Sequence, residues 1–93
     1  MNYYKEFKAL SDEKRIEILF LLQKKEISAG EIVDKLGLSN SKVSYHLMVL
    51  KKTNLIKERK YKNYIFYSVK GETFLEIAKW LTSFNNIVQE ETI

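Results

Sequence analysis

Few side chains in this sequence could do covalent or metal chemistry: one histidine, His46, with Ser44 two residues before it, and no cysteine at all. A nucleophile needs a base placed by geometry and a third group to orient it, and neither an oxyanion motif nor a nucleophile elbow accompanies this pair. Metal sites usually draw three or four ligands from the protein, and one imidazole without thiolates leaves only carboxylates to complete a site. His46 is therefore expected to pack or to meet a phosphate. The absence of cysteine rules out disulfides and thiol redox sensing. No enzyme activity, metal or cofactor is expected.

What remains is ionic and hydrogen-bonding chemistry. The net charge of +4 and pI near 9.2 point weakly to a polyanionic partner. The distribution of charge says more. Residues 1–34 hold six Lys/Arg against seven Asp/Glu, and residues 71–93 hold one against four. The stretch 35–70 holds nine against the single acid Glu58. A solvated basic face is the plain explanation; a phosphate-binding surface accounts better for the segregation.

These groups need elements to position them. Tyr3, Tyr4, Phe7 and Leu10 fall at helical spacing, and Asp12 can cap a second helix whose apolar face carries Ile16, Ile18, Leu19, Leu21 and Leu22. Ser28 and Glu31 form a capping-box signature for a third, short helix that Gly37 ends. Ser39 can cap a fourth, in which Val43, Leu47 and Leu50 recur at spacings of four and three. The three-residue link Gly37-Leu38-Ser39 is helix-turn-helix spacing. After Asn54 the period drops toward two: 55–60 and 64–69 are expected as strands joined by Tyr61-Lys62-Asn63, with Asn63 best suited to positive φ. A fifth helix follows from Gly71.

With Val43, Leu47 and Leu50 inward, Ser41, Tyr45 and Met48 turn outward, flanked by Lys42 and Ser44. Short hydrogen-bonding side chains near a helix N-terminus are what a reading helix presents to base edges, although such a face is also what mere solvation produces. The hairpin adds Lys57, Arg59, Lys60 and Lys62 beside Tyr61 and Tyr64. Lysines there can simply discourage edge pairing, or they can meet phosphates, with Arg59 or Lys62 entering a minor groove. The aromatic load at both ends and the span of Phe74, Ile77, Trp80, Leu81, Phe84, Ile87 and Val88 around one helix suggest a second subunit as cover.

Three segments carry a family resemblance: FKALSDEKRIEILFLL (7–22), ISAGEIVDKLGLSNSKVSYHLMVLKKTNLIKERK (27–60) and YIFYSV (64–69). In order and spacing they resemble the ArsR family of winged-helix repressors. That resemblance implies a homodimer joined through its first and last helices, bound to imperfect inverted repeats in double-stranded DNA. It places Asn40, Ser41, Lys42, Ser44, Tyr45 and His46 at or beside the major groove and Lys60, Tyr61 and Lys62 at the wing tip. The stretch Trp80-Leu81…Phe84 is similar to the autorepressor subgroup named after SdpR. Several positions depart from the family pattern. Glu13 stands where proline is common, Tyr45 replaces the first histidine of a His-His pair, and Lys62-Asn63 stands where the wing usually has glycine. The third helix lacks the cysteine metal box and the last helix lacks histidine, so neither familiar sensing site can be built.

The expectation is thus a mainly α fold with a small β-hairpin, a winged helix-turn-helix with four helices, the hairpin and a fifth helix. It is expected as one domain over 1–93: helix-turn-helix about 29–53, wing about 55–69, dimerisation helices about 3–10 and 72–90. The DNA-binding set is Ser39, Asn40, Ser41, Lys42, Ser44, Tyr45, His46, Lys51, Arg59, Lys60, Tyr61 and Lys62; the dimer set is Tyr3, Tyr4, Phe7, Phe74, Ile77, Trp80, Leu81, Phe84 and Val88. With no secretory or spanning segment, a cytoplasmic location is expected. A winged-helix protein-interaction module and a non-specific nucleoid-type DNA-binding protein are the alternatives. The first predicts dispensable cations, and the second predicts no operator preference.

Overall fold

A computed structural model describes residues 2–85. Helix α1 spans Tyr4–Leu10 and α2 Glu13–Lys24; a short strand β1, Ile27–Ser28, leads directly into α3, Ala29–Leu36. Then come α4, Asn40–Lys52, the hairpin strands β2, Ile56–Tyr61, and β3, Tyr64–Val69, and finally α5, Gly71–Ser83.

The local signals act as chemistry requires. The Asp12 carboxylate accepts from the backbone N–H groups of Lys14 and Arg15, satisfying donors that the first turn of α2 leaves open. Ser28 and Glu31 close a reciprocal capping box on α3, and Gly37 takes φ 66° at its end. Ser39 Oγ accepts from Lys42 N at 3.1 Å, starting α4. At the other end of α4, Asn54 adopts φ 60°; its N–H reaches the Lys51 carbonyl, and Leu55 N–H reaches that of Leu50. This pair of bonds is a Schellman ending with asparagine in the left-handed position, and it delivers Leu55 into the core, fully buried.

The core gathers Ile18 from α2, Ile27 from β1, Ile32 from α3, Val43 and Leu50 from α4 and Leu55, all with less than 2% of their surface exposed. An aromatic seam joins α1 to α5: the Trp80 ring lies 5.8 Å from Tyr3, 5.6 Å from Phe7 and 5.1 Å from Phe84.

Two local expectations need correction. The sheet has three strands, antiparallel in the order β1-β3-β2, because Ile27 pairs with Tyr67 and Ser28 with Phe66. A two-residue strand carries no periodicity to read, and Ser28 serves both as strand end and as helix cap. The hairpin loop is also tighter than expected. Tyr61 belongs to β2 and pairs with Tyr64, leaving Lys62-Asn63 as a two-residue turn, with Lys62 rather than Asn63 at positive φ, 55°. The short loop needs a positive φ to reverse the chain between paired strands, and Lys62 supplies it.

Candidate nucleic-acid interface

Burial decides which face of α4 is presented. Val43, Leu47 and Leu50 are at most 3% exposed. At about 1.5–3 kcal/mol for each buried aliphatic side chain, turning the helix to expose them would forfeit roughly 6 kcal/mol. The opposite face is thereby held outward: Ser39, Asn40, Ser41, Lys42, Ser44 and Tyr45 are exposed, Tyr45 at 56%, with Met48 beyond them at 48%. Lys42, Ser41, Tyr45 and His46 meet Lys14 of α2 and Leu38 of the turn around a shallow cleft.

His46 is half-buried and engaged from beneath. Arg15 Nη1 approaches its Nδ1 at 3.1 Å, while Arg15 Nε donates to the Ala9 carbonyl at 2.7 Å and Nη1 lies 3.9 Å from Asp12. A guanidinium can only donate, so Nδ1 is the acceptor and the ring proton resides on Nε2. Burial works to raise the Asp12 pKa, but the N–H groups of Arg15 and Lys14 and the Arg15 charge outweigh it and hold the carboxyl below its ordinary value. Sequence reasoning missed Arg15. Its only local signal was its place three residues after the Asp12 cap, and its partner on α4 lies 31 positions away.

The wing cations divide into two groups. Arg59 is gripped by Glu26, with Nε at 3.1 Å from Oε2 and Nη2 at 2.8 Å from Oε1, and its guanidinium lies 5.2 Å from the Phe66 ring. Lys51 is paired with Glu58. The hydrogen bond from Arg59 lowers the Glu26 pKa, and that to Glu58 raises the Lys51 pKa. These two pairs fasten β2 to the segment before β1 and to α4. Lys60, Tyr61 and Lys62 are exposed at the tip; Lys62 Nζ lies 5.4 Å from the Tyr61 ring, and neither lysine has an ion-pair partner among the described residues. Two of the expected contact residues, Arg59 and Lys51, thus hold ion pairs within the chain while staying exposed, and Lys42, Lys60 and Lys62 make none among the described residues.

In the expected dimer set, the chain's own core takes Tyr3 and Ile77, at 7% and 5% exposure, and half-buries Phe7, Phe74 and Trp80. Tyr4, Leu81 and Phe84 are exposed, as is Leu75, which the sequence reading did not single out. Val88 lies outside the described residues. Among the described residues no group of three or more His, Asp or Glu is placed to hold a metal ion, and no helix is long and apolar enough to cross a membrane.

Known proteins share this arrangement. The family model described as bacterial regulatory protein, arsR family, matches residues 12–58. The transcriptional repressor SdpR of Bacillus subtilis is 32% identical over 80 residues, covering 86% of this chain and 89% of that protein. An ArsR-like transcriptional regulator from a Rhodococcus species superposes with a TM-score of 0.87 at 28% identity, over 96% of this chain and 84% of the other. The homodimeric winged helix-turn-helix DNA-binding domain of a possible ArsR-family regulator from Mycobacterium bovis superposes with a TM-score of 0.72 over 94% and 81%, and at 24% identity it attests the fold alone. With α3, the glycine turn and α4 as its helix-turn-helix and the β2–β3 hairpin as its wing, this chain belongs to the ArsR family of bacterial regulatory proteins, DNA-binding regulators of transcription.

Proposed function

We propose that the protein is a homodimeric repressor that recognises an inverted-repeat operator in double-stranded DNA and acts by occupying it. The observation that carries this reading is the outward face of α4. Ser41, Lys42, Ser44 and Tyr45 are exposed together on a helix whose rotation is held by its buried face. In the major groove these side chains choose bases, while Lys60 and Lys62 of the wing, with Tyr61, meet flanking phosphates. Phosphate contacts supply affinity and the reading helix supplies choice of sequence.

Dimerisation is supported by the exposed Tyr4, Leu75, Leu81 and Phe84 on α1 and α5. A two-fold pair would set two reading helices about 34 Å apart, one DNA turn, which is the geometry an inverted repeat demands. The protein works in the cytoplasm and senses no metal through the family's cysteine or histidine sites, for which it lacks the ligands.

The test is binding of the purified protein to DNA from its own upstream region and to random DNA over a range of salt, with footprinting and a promoter reporter. Selective binding over two half-sites with reduced transcription is expected. Equal binding to both DNAs would overturn operator recognition, and increased transcription would overturn repression.

A further inference from the structure

By sequence, the first 34 residues form a nearly neutral flank, yet folding brings two of their lysines beside the reading helix. A cleft of about 420 Å³ opens between α1, α2 and the C-terminal half of α4, lined by Lys5, Lys8, Arg15, Tyr45, Met48 and Lys52 among others. No carboxylate lines it. Lys5, Lys8 and Lys52 are exposed, and among the described residues none of them makes an ion pair, unlike Lys14, Lys51 and Arg59. Tyr45 belongs to both this cleft and the one that holds Lys42 and His46, so the two adjoin along the face of α4.

Lysine side chains that line one concavity with no carboxylate among its lining residues make it electropositive. A DNA phosphate seated among them is attracted by that charge, and its binding releases counterions condensed on the DNA. We propose that this cleft takes a phosphate of the DNA backbone flanking the groove that α4 enters, making Lys5 and Lys8 of α1, with Lys52, part of the DNA interface. The proposal rests on the DNA-binding reading above and deepens it. It extends the contact surface from the helix-turn-helix and wing to the first helix.

The experiment measures the full chain's affinity for operator and random DNA against salt for four proteins: wild type, Lys5→Gln/Lys8→Gln, Lys52→Gln and the control Lys24→Gln/Lys25→Gln on the far end of α2. Each phosphate contact contributes about 0.9 to the slope of log K against log salt, which is about eightfold in affinity at roughly 0.1 M salt. Because one phosphate is seated, each of the first two variants is expected to flatten the slope by at most about that amount in total, equally on both DNAs, with unchanged unfolding midpoints. Slopes equal to the control's, while Lys62→Ala flattens its own, would overturn the cleft and leave the DNA-binding reading standing. Salt-independent or absent binding by the wild type would overturn both. Inorganic phosphate perturbing Lys5 and Lys8 resonances without any change in DNA slope would assign the cleft to a small anion and overturn the proposal.

Discussion

Replacing Arg15 with alanine removes the clamp that joins the end of α1, the start of α2 and the reading helix. Its side chain is only 12% exposed, and it donates to the Ala9 carbonyl at 2.7 Å and to His46 Nδ1 at 3.1 Å. The Ala9 carbonyl sits in the last turn of a helix, where no intrahelical donor remains for it. A hydrogen bond from a charged donor contributes about 1.5–3 kcal/mol. Two of them, discounted because water can reach the vacated acceptors, come to about 3 kcal/mol, while the Asp12 contact at 3.9 Å adds little. Against a total stability of roughly 5–15 kcal/mol that is a large loss. Urea unfolding followed by the fluorescence of Trp80, the one tryptophan, measures it. With a slope of about 1.5 kcal/mol per molar, the midpoint should fall by about 2 M at fixed protein concentration. Arg15→Lys keeps the charge but not the fork, and should recover less than half of the loss. The nitrogen shifts of His46 should report the Nε2–H tautomer in the wild type and a mixture in Arg15→Ala. A loss below about 1 kcal/mol, full rescue by lysine, or a mixed tautomer in the wild type would refute the clamp.

Further outcomes follow from the same geometry. Tyr45→Ala should weaken operator binding more than random-DNA binding, whereas Lys62→Ala should weaken both and reduce the salt slope by about one; salt titrations on the two DNAs measure this. Lys62→Gly should lose the same phosphate contact yet raise stability by about 0.5 kcal/mol, since relief of a left-handed side chain slightly exceeds the entropy that glycine adds to the unfolded chain. Ser28→Ala should cost about 1 kcal/mol in urea unfolding by opening the capping box of α3. Asp12 and Glu26 both have lowered pKa values, so the folded protein binds fewer protons than the unfolded chain on the acid side. Their stabilisation should be fully present above the unfolded carboxyl values of about 3.9 and 4.3 and be lost as pH falls through the lowered folded-state values; urea midpoints against pH, with Arg59→Gln removing the Glu26 share, test the sign.

The caps at Asp12, Ser28 and Ser39, the left-handed Gly37 and Asn54 and the inward face of α4 were all legible without coordinates. Each is decided within four or five residues, by which backbone donors lack partners and which side chains tolerate positive φ. The same locality explains why the sequence indicated the right positive-φ residue after α4 and the wrong one in the hairpin. Asn54 ends a helix whose own bonds demand a left-handed residue there. In the hairpin, the pairing of Tyr61 with Tyr64 chose the loop length, and the loop length placed Lys62.

The sequence by itself determined the order of elements, the helix-turn-helix spacing, the outward set on α4 and the concentration of positive charge in residues 35–70. Tertiary structure alone decided which of those charges are free. Glu26 reaches Arg59 across 33 positions, Glu58 reaches Lys51 from the neighbouring strand, Arg15 reaches His46 across 31, and α1 brings Lys5 and Lys8 to the side of α4. A charge count along the chain treats every lysine as available. Pairing depends on distances of a few ångströms between residues far apart in sequence, and only the packed core sets those distances.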